Sequence, residues 1–251
     1  MPEQNLQGKV VLVAGGAKNL GGLISRTLAA DGARIAVHYN SDATKAAAAD
    51  TVAACIAAGG EAFAIQADLT SVAEIRRVLD AVTGRWGSLY ACVNTTGMAV
   101  GHPMTEVTEE EFDRHFAINA KAAFFIMAEA ARRIEDGGKI VNLVSSLLAA
   151  YTGRYSVYAG SKAPLEHFTR ALSKELFGRS VSVNNIAPGP MDTPFFWDAA
   201  APGEPEFSKS MSTSGELTKI EDIVPWVRFL LTGGWFANGQ TLFVNGGFST
   251  R

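Results

Sequence analysis

The sequence predicts an α/β fold, a doubly wound seven-stranded parallel sheet with helices on both faces. Three observations predict it. Short apolar or β-branched runs alternate with longer segments of helical period along the 251 residues. Those runs are continuously apolar, the pattern of strands covered on both sides. A glycine-rich turn, Ala14-Gly15-Gly16-Ala17-Lys18-Asn19-Leu20-Gly21-Gly22, follows the first run and opens the first helix.

Taken in order, Val10–Ala14 is the first strand and Leu20–Ala30 the first helix. Ile35–Tyr39 and the alanine-rich Ala43–Ala57 form the next pair, then Ala62–Gln66 with Val72–Arg85, and Leu89–Asn94 with one long helix, Glu109–Ile134. Lys139–Ser145 precedes a second long helix, Val157–Phe177, in which Pro164 removes a backbone donor and can bend the axis. Val181–Ala187 is the sixth strand, Ile220–Leu231 the last helix and Thr241–Asn245 the last strand. Right-handed crossovers between parallel strands place ligands at their carboxyl ends. Residues 188–215 break the alternation. They are rich in Pro, Ser and Phe without a clear period, as expected of an irregular lid over a substrate.

Composition narrows the classes. With 47% hydrophobic residues, a net charge of −3 and no Pro/Ser-rich linker, residues 1–251 read as a single domain. No Lys/Arg stripe marks a nucleic-acid surface, and no segment is long and apolar enough for a signal or a membrane span, so a cytoplasmic protein is expected. Cys55 and Cys92 belong to no ligand spacing and read as reduced core thiols, with no metal site.

Tyr158 and Lys162 lie one helical turn apart, with Ser145 and Ser146 at the end of the preceding strand. Positions i and i+4 share a helix face, so the Lys162 ammonium is expected to lower the Tyr158 phenol from its ordinary value of about 10. A phenol so placed can give and take a proton. The glycine turn offers free N–H groups and a helix dipole to a pyrophosphate. Asn19 occupies a position where glycine is usual, and asparagine tolerates left-handed backbone. An acid at the end of the second strand would repel a 2′-phosphate; here stand Tyr39, Asn40 and Ser41, with Lys18 nearby, favouring NADPH over NADH.

Together these motifs resemble the short-chain dehydrogenase/reductases from about Gly8 to Gly247. The resemblance implies the Rossmann-like version of the sheet and a tetrad of Asn119, Ser145, Tyr158 and Lys162, Ser145 being preferred over Ser146. Asn119 would hold a water linked to the lysine. It implies a cofactor site drawn from Gly15, Lys18, Asn19, Leu20, Gly21, Asp68, Leu69, Asn94, Gly97, Pro188, Gly189 and Thr193, besides Tyr158 and Lys162 acting on both cofactor and substrate. Departures are Thr95 and Thr96 within Asn94-Thr95-Thr96-Gly97, which leave local hydrogen bonds in doubt, and Asn245 before Gly246-Gly247.

The expected reaction is reduction of a ketone to a secondary alcohol, Tyr158 donating the proton and Ser145 a hydrogen bond. Met191, Phe195, Phe196, Trp197, Leu147, Leu148, Tyr151 and Tyr155 suggest a bulky hydrophobic or aromatic small-molecule substrate. Two alternatives stand beside it. Reduction of a 3-oxoacyl group on an acyl carrier protein would need a basic rim, for which Arg132, Arg133 and Arg179 are candidates. A non-catalytic NADP(H)-binding redox sensor would not need the Ser-Tyr-Lys set. Relatives of this type commonly form homotetramers through the two long helices, whose Ala120, Ala122, Ala123 and Ala171 would permit close contact or equally pack internally.

Overall fold

The computed structural model describes residues 5–250. Its seven parallel strands are β1 (Val10–Ala14), β2 (Arg34–Tyr39), β3 (Glu61–Gln66), β4 (Leu89–Asn94), β5 (Ile134–Leu143), β6 (Ser182–Pro188) and β7 (Thr241–Val244), in spatial order β3-β2-β1-β4-β5-β6-β7. This is the doubly wound, Rossmann-like sheet. The order reverses at β1, so the crevice between the β1 and β4 ends is the switch point where such sheets hold ligands.

Strand periodicity divides the core. Val11 and Val13 of β1 join Ile35 and Val37 of β2 on one face, while Val10, Leu12 and Ala14 point to the other with Ala36. Ile24 and Leu28 of α1 (Asn19–Ala30) cover the first face, with Ile223, Val227 and Leu230 of α10 (Ile220–Thr232). The second face receives Ile75, Val78, Leu79 and Val82 of α3 (Val72–Trp86), and Ile126, Met127 and Ala130 of α5 (Ala122–Arg133). Three- and four-residue spacing makes each a single apolar stripe, and each fully buried aliphatic side chain contributes about 1.5–3 kcal/mol. α2 (Lys45–Ala57) lies beside α1. Cys55 and Cys92 are free and buried.

Both long helices are interrupted. The first is α4 (Glu109–His115), a π-helical turn Phe116–Lys121, then α5. Thr108 and Glu111 close the start of α4 with a capping box. The second is α6 (Ser156–Lys162) followed by α7 (Pro164–Glu175). Pro164 has no N–H to continue the α6 ladder and so takes the first position of a new helix, where none is needed. β5 begins at Ile134, earlier than expected, and ends two residues before Ser145. Nor is the stretch 188–215 irregular, for it carries α8 (Pro194–Trp197) and α9 (Glu204–Met211). Among the described residues no helix is long and apolar enough to cross a membrane.

Candidate active site

The carboxyl ends of the strands bring most of the sequence-selected residues together around two adjoining cavities. The smaller, 190 Å³, is lined by Gly15, Lys18, Asn19, Leu20 and Gly21 of the glycine turn, by Thr95, Thr96 and Gly97 after β4, and by Tyr158, Lys162, Pro188 and Thr193. The larger, 620 Å³, extends from Ser145 and Tyr158 outward beneath α8 and α9 and includes Gly189. Val144, Tyr158, Pro188, Met191, Thr193 and Phe195 line both, so the phenol stands at their junction.

The glycine turn is packed too tightly for side chains. A Cβ on Gly21 would fall 2.1 Å from the Gly15 carbonyl oxygen, and one on Gly15 would fall 2.7 Å from Thr95 Oγ1. Asn19 adopts φ +49°, the left-handed geometry anticipated from its residue type. No side chain caps α1, which leaves its first-turn N–H groups without an intrahelical partner at the cavity wall. Two lysines and no carboxylate line this cavity. Its donors, charge and glycine cradle fit a dinucleotide phosphate. Thr95 and Thr96 supply their own anchoring, Thr95 Oγ1 donating to Ala14 O at 2.8 Å and Thr96 Oγ1 to Asn94 Oδ1 at 2.6 Å.

The turn has a support that sequence reasoning missed. His38 of β2 is buried, its Nδ1 accepting from Gly15 N at 3.0 Å while Nε2 lies 2.9 Å from Ala67 O. Nε2 therefore carries the proton, and burial holds the imidazole down at about 4. A histidine in a strand gives no local signal of this, because its partners lie 23 and 29 residues away.

Ser145 follows β5 and its Oγ accepts from Leu147 N at 3.2 Å, on the wall of the larger cavity that it shares with Tyr158. Ser146 is buried, and its hydroxyl donates instead to Ala187 O at 3.1 Å. Lys162 is buried with its Nζ donating to Leu143 O at 2.9 Å and Thr96 O at 3.1 Å. The expected lowering of the phenol is corrected here. Burial pushes Tyr158 up to about 12, against the pull of Ser145, and the same burial brings Lys162 down to about 8. With its ammonium turned to carbonyls, Lys162 does not offset the desolvation of the ring. Near neutral pH the phenol holds its proton.

Asn119 sits inside the π-helical turn, fully buried. Its Oδ1 accepts from Met98 N at 3.0 Å, and its Nδ2 donates to Met98 O and to Ser161 Oγ, each at 2.9 Å. Its amide thus ties the loop after β4 to α6. Gly97 closes the same corner, where a Cβ would come within 3.0 Å of both Asn119 Oδ1 and Lys162 Nζ.

Several selected residues lie outside the cavities. Tyr39 is buried in the core, Asn40 is exposed and Ser41 partly so. Asp68 is exposed and accepts from Thr70 N at 2.9 Å, while Leu69 packs in the core. Asn94 turns its amide toward Thr96. The basic rim expected of three arginines is corrected here. Arg132 and Arg133 bond Glu129, and Arg133 also Asp80, while Arg179 binds Asp136 and the carbonyls of Ala131 and Ile134. These arginines flank the start of β5 and β6, the opposite end of the strands from the cavities, and form no rim. Ala122 and Ala123 are core residues and Ala120 is buried, so of the four alanines Ala171 alone faces out.

Comparisons with known proteins bear on the fold and the family. A family model described as enoyl-(acyl carrier protein) reductase matches residues 15–249. A short-chain type dehydrogenase/reductase of Picea abies is 34% identical, covering 96% of this chain and 93% of its own. A hydroxynaphthalene reductase-like protein of Metarhizium brunneum is 36% identical, covering 98% and 97%. The crystal structure of a Burkholderia cenocepacia protein described as a dehydrogenase with bound NADP superposes with a TM-score of 0.97 at 50% identity, covering 98% and 96%. The chain belongs to the short-chain dehydrogenase/reductase family.

Proposed function

We propose that this chain is an NADPH-dependent reductase of bulky hydrophobic or aromatic ketones. At the coarser level it is an NADP(H)-dependent oxidoreductase acting on C=O and CH–OH groups. One observation carries the finer reading: the Tyr158 phenol, with Ser145 on the wall of the larger cavity, stands where a mostly apolar cavity of 620 Å³ meets the glycine-turn cavity of 190 Å³. Apolar walls suit aromatic surface and penalise a sugar, whose hydroxyls would be left without partners. The relative named for hydroxynaphthalene reduction and the neighbour carrying NADP point the same way.

The dinucleotide supplies the hydride; the protein supplies placement and a proton. Gly15, Lys18, Asn19, Leu20 and Gly21 hold its phosphates, Lys18 favouring the extra phosphate of NADPH. Gly97, Pro188, Gly189 and Thr193 border its reactive end, and Tyr39, Asn40, Ser41, Asp68, Leu69 and Asn94 shape the adenosine side. A substrate carbonyl oxygen between Ser145 and Tyr158 receives a hydrogen bond from one and the proton from the other. A phenol at about 12 is protonated before the reaction, as reduction requires. Lys162, at about 8, exchanges a proton near neutral pH and restores it. Asn119 keeps the Lys162 corner rigid through Met98 and Ser161, and in this reading that corner would hold the water linked to the lysine. This reading makes residues 1–251 one catalytic domain of a cytoplasmic homotetramer, acting on free small molecules without membrane or nucleic acid.

A panel of one-, two- and three-ring ketones assayed with NADPH and NADH tests it. The expected result is consumption of NADPH with kcat/KM at least about tenfold above NADH. Reduction of an acetoacetyl thioester but of no free ketone would replace the reading with the acyl-carrier one. Tight NADPH binding without any turnover would replace it with a dinucleotide holder.

A further inference from the structure

Among the residues that line the larger cavity, Arg154 and Glu204 are the charged ones. Glu204 is the first residue of α9, set by Gly203 in left-handed geometry, φ +81°. Its Oε2 accepts from Ala201 N at 2.9 Å, and its Oε1 accepts from the Tyr155 hydroxyl at 2.6 Å, across 49 residues of chain. Tyr155 also reaches Ala199 O at 3.4 Å. Among the described residues, the side-chain hydrogen bonds joining residues 198–211 to the facing wall come from Tyr155.

The wall side of this contact is held as firmly. Tyr155 is 8% exposed and directly precedes α6. Its ring packs edge-on to Tyr158, centroids 6.4 Å apart. A Cβ on Gly101 would lie 3.4 Å from the Tyr155 ring and 2.5 Å from Ala199 O, so the loop after β4 is wedged between ring and lid. Arg154, at φ +68°, donates to the Gly101 carbonyl and holds that loop in place. Three loops that close the cavity therefore converge on one phenol.

We infer that Tyr155 and Glu204 form a specificity-determining clasp, which holds α9 against the substrate and limits the length of ketone the cavity accepts. This rests on the reductase reading and adds its size selection. A hydroxyl-to-carboxylate hydrogen bond is charge-assisted and directional, so it fixes the distance between lid and wall in a way that apolar contact does not. Neither residue moves the transferred proton. They act by positioning, through Phe207 and Met211, two large apolar α9 side chains that line the cavity.

The test compares wild type with Tyr155→Phe, which keeps the ring and deletes the hydroxyl, and with Glu204→Gln, which keeps one acceptor oxygen. Amide hydrogen exchange at residues 204–211 is measured first, needing no substrate. Exchange is expected to speed up about tenfold in Tyr155→Phe and by less in Glu204→Gln, with α6 unaffected. The ratio of kcat/KM for a three-ring ketone to that for a one-ring ketone is expected to rise about tenfold, the loss on the small ketone lying in KM more than in kcat. Exchange at 204–211 equal to wild type overturns the clasp, as does an equal fall in kcat for every ketone. A wild type that reduces no ketone counts against the reductase reading, and the exchange measurement still decides the clasp.

Discussion

Acidification tests the His38 support of the glycine turn. The imidazole titrates at about 4 in the folded protein against about 6.5 when free, because burial disfavours its charged form. Protonation would put a proton on Nδ1, the atom that accepts from Gly15 N. Of the charges facing it, Arg77 opposes protonation and Asp68 favours it. Between these two pH values the unfolded chain binds the proton and the folded one does not. The stabilisation is therefore complete above 6.5 and is lost as pH falls toward 4. At 1.36 kcal/mol per unit the loss is about 2 kcal/mol at pH 5 and about 3 kcal/mol at pH 4. Urea unfolding of wild type and His38→Asn between pH 4 and 7.5 reads it directly. The difference in unfolding free energy between the two proteins is expected to change by about 3 kcal/mol over that range. A difference independent of pH would refute the buried neutral imidazole.

Other outcomes follow from the same geometry. Gly21→Ala places a Cβ 2.1 Å from the Gly15 carbonyl oxygen and is expected to abolish NADPH binding in a fluorescence titration; unchanged affinity would contradict the tight turn. Ser145→Ala is expected to lower kcat by about a hundredfold or more, as loss of one oxyanion donor does. Ser146→Ala breaks the bond to Ala187 O and is expected to cost about 1 kcal/mol of stability in denaturant unfolding, with kcat retained. The reverse pattern would exchange the two serines.

The alternation of elements was legible because strands such as β1 and β4 are buried along their whole length, which favours nearly continuous apolar runs. The left-handed Asn19 was legible from its residue type, while the preference for Ser145 over Ser146 came from the family resemblance. The π-helical turn was not. Phe116–Lys121 reads as ordinary helix, and what accompanies the wider turn is tertiary, the Asn119 amide reaching Met98 and Ser161. α9 left a trace that was overlooked, a glycine followed by Glu204-Pro205, since proline is at home in a first helical turn. The phenol's electrostatics were misread because helical spacing brings Lys162 to the same face but does not fix where its ammonium points. It points to the Thr96 and Leu143 carbonyls, and burial then dominates. His38 and the Tyr155–Glu204 pair are contacts between distant segments, invisible to any local pattern.

The central claim is that the Tyr158 hydroxyl delivers the proton. Tyr158→Phe, assayed for NADPH binding by fluorescence and for ketone reduction in the same preparation, tests it most directly. Binding within about threefold of wild type, with turnover reduced about a thousandfold, is the predicted result. Turnover within tenfold of wild type would contradict it.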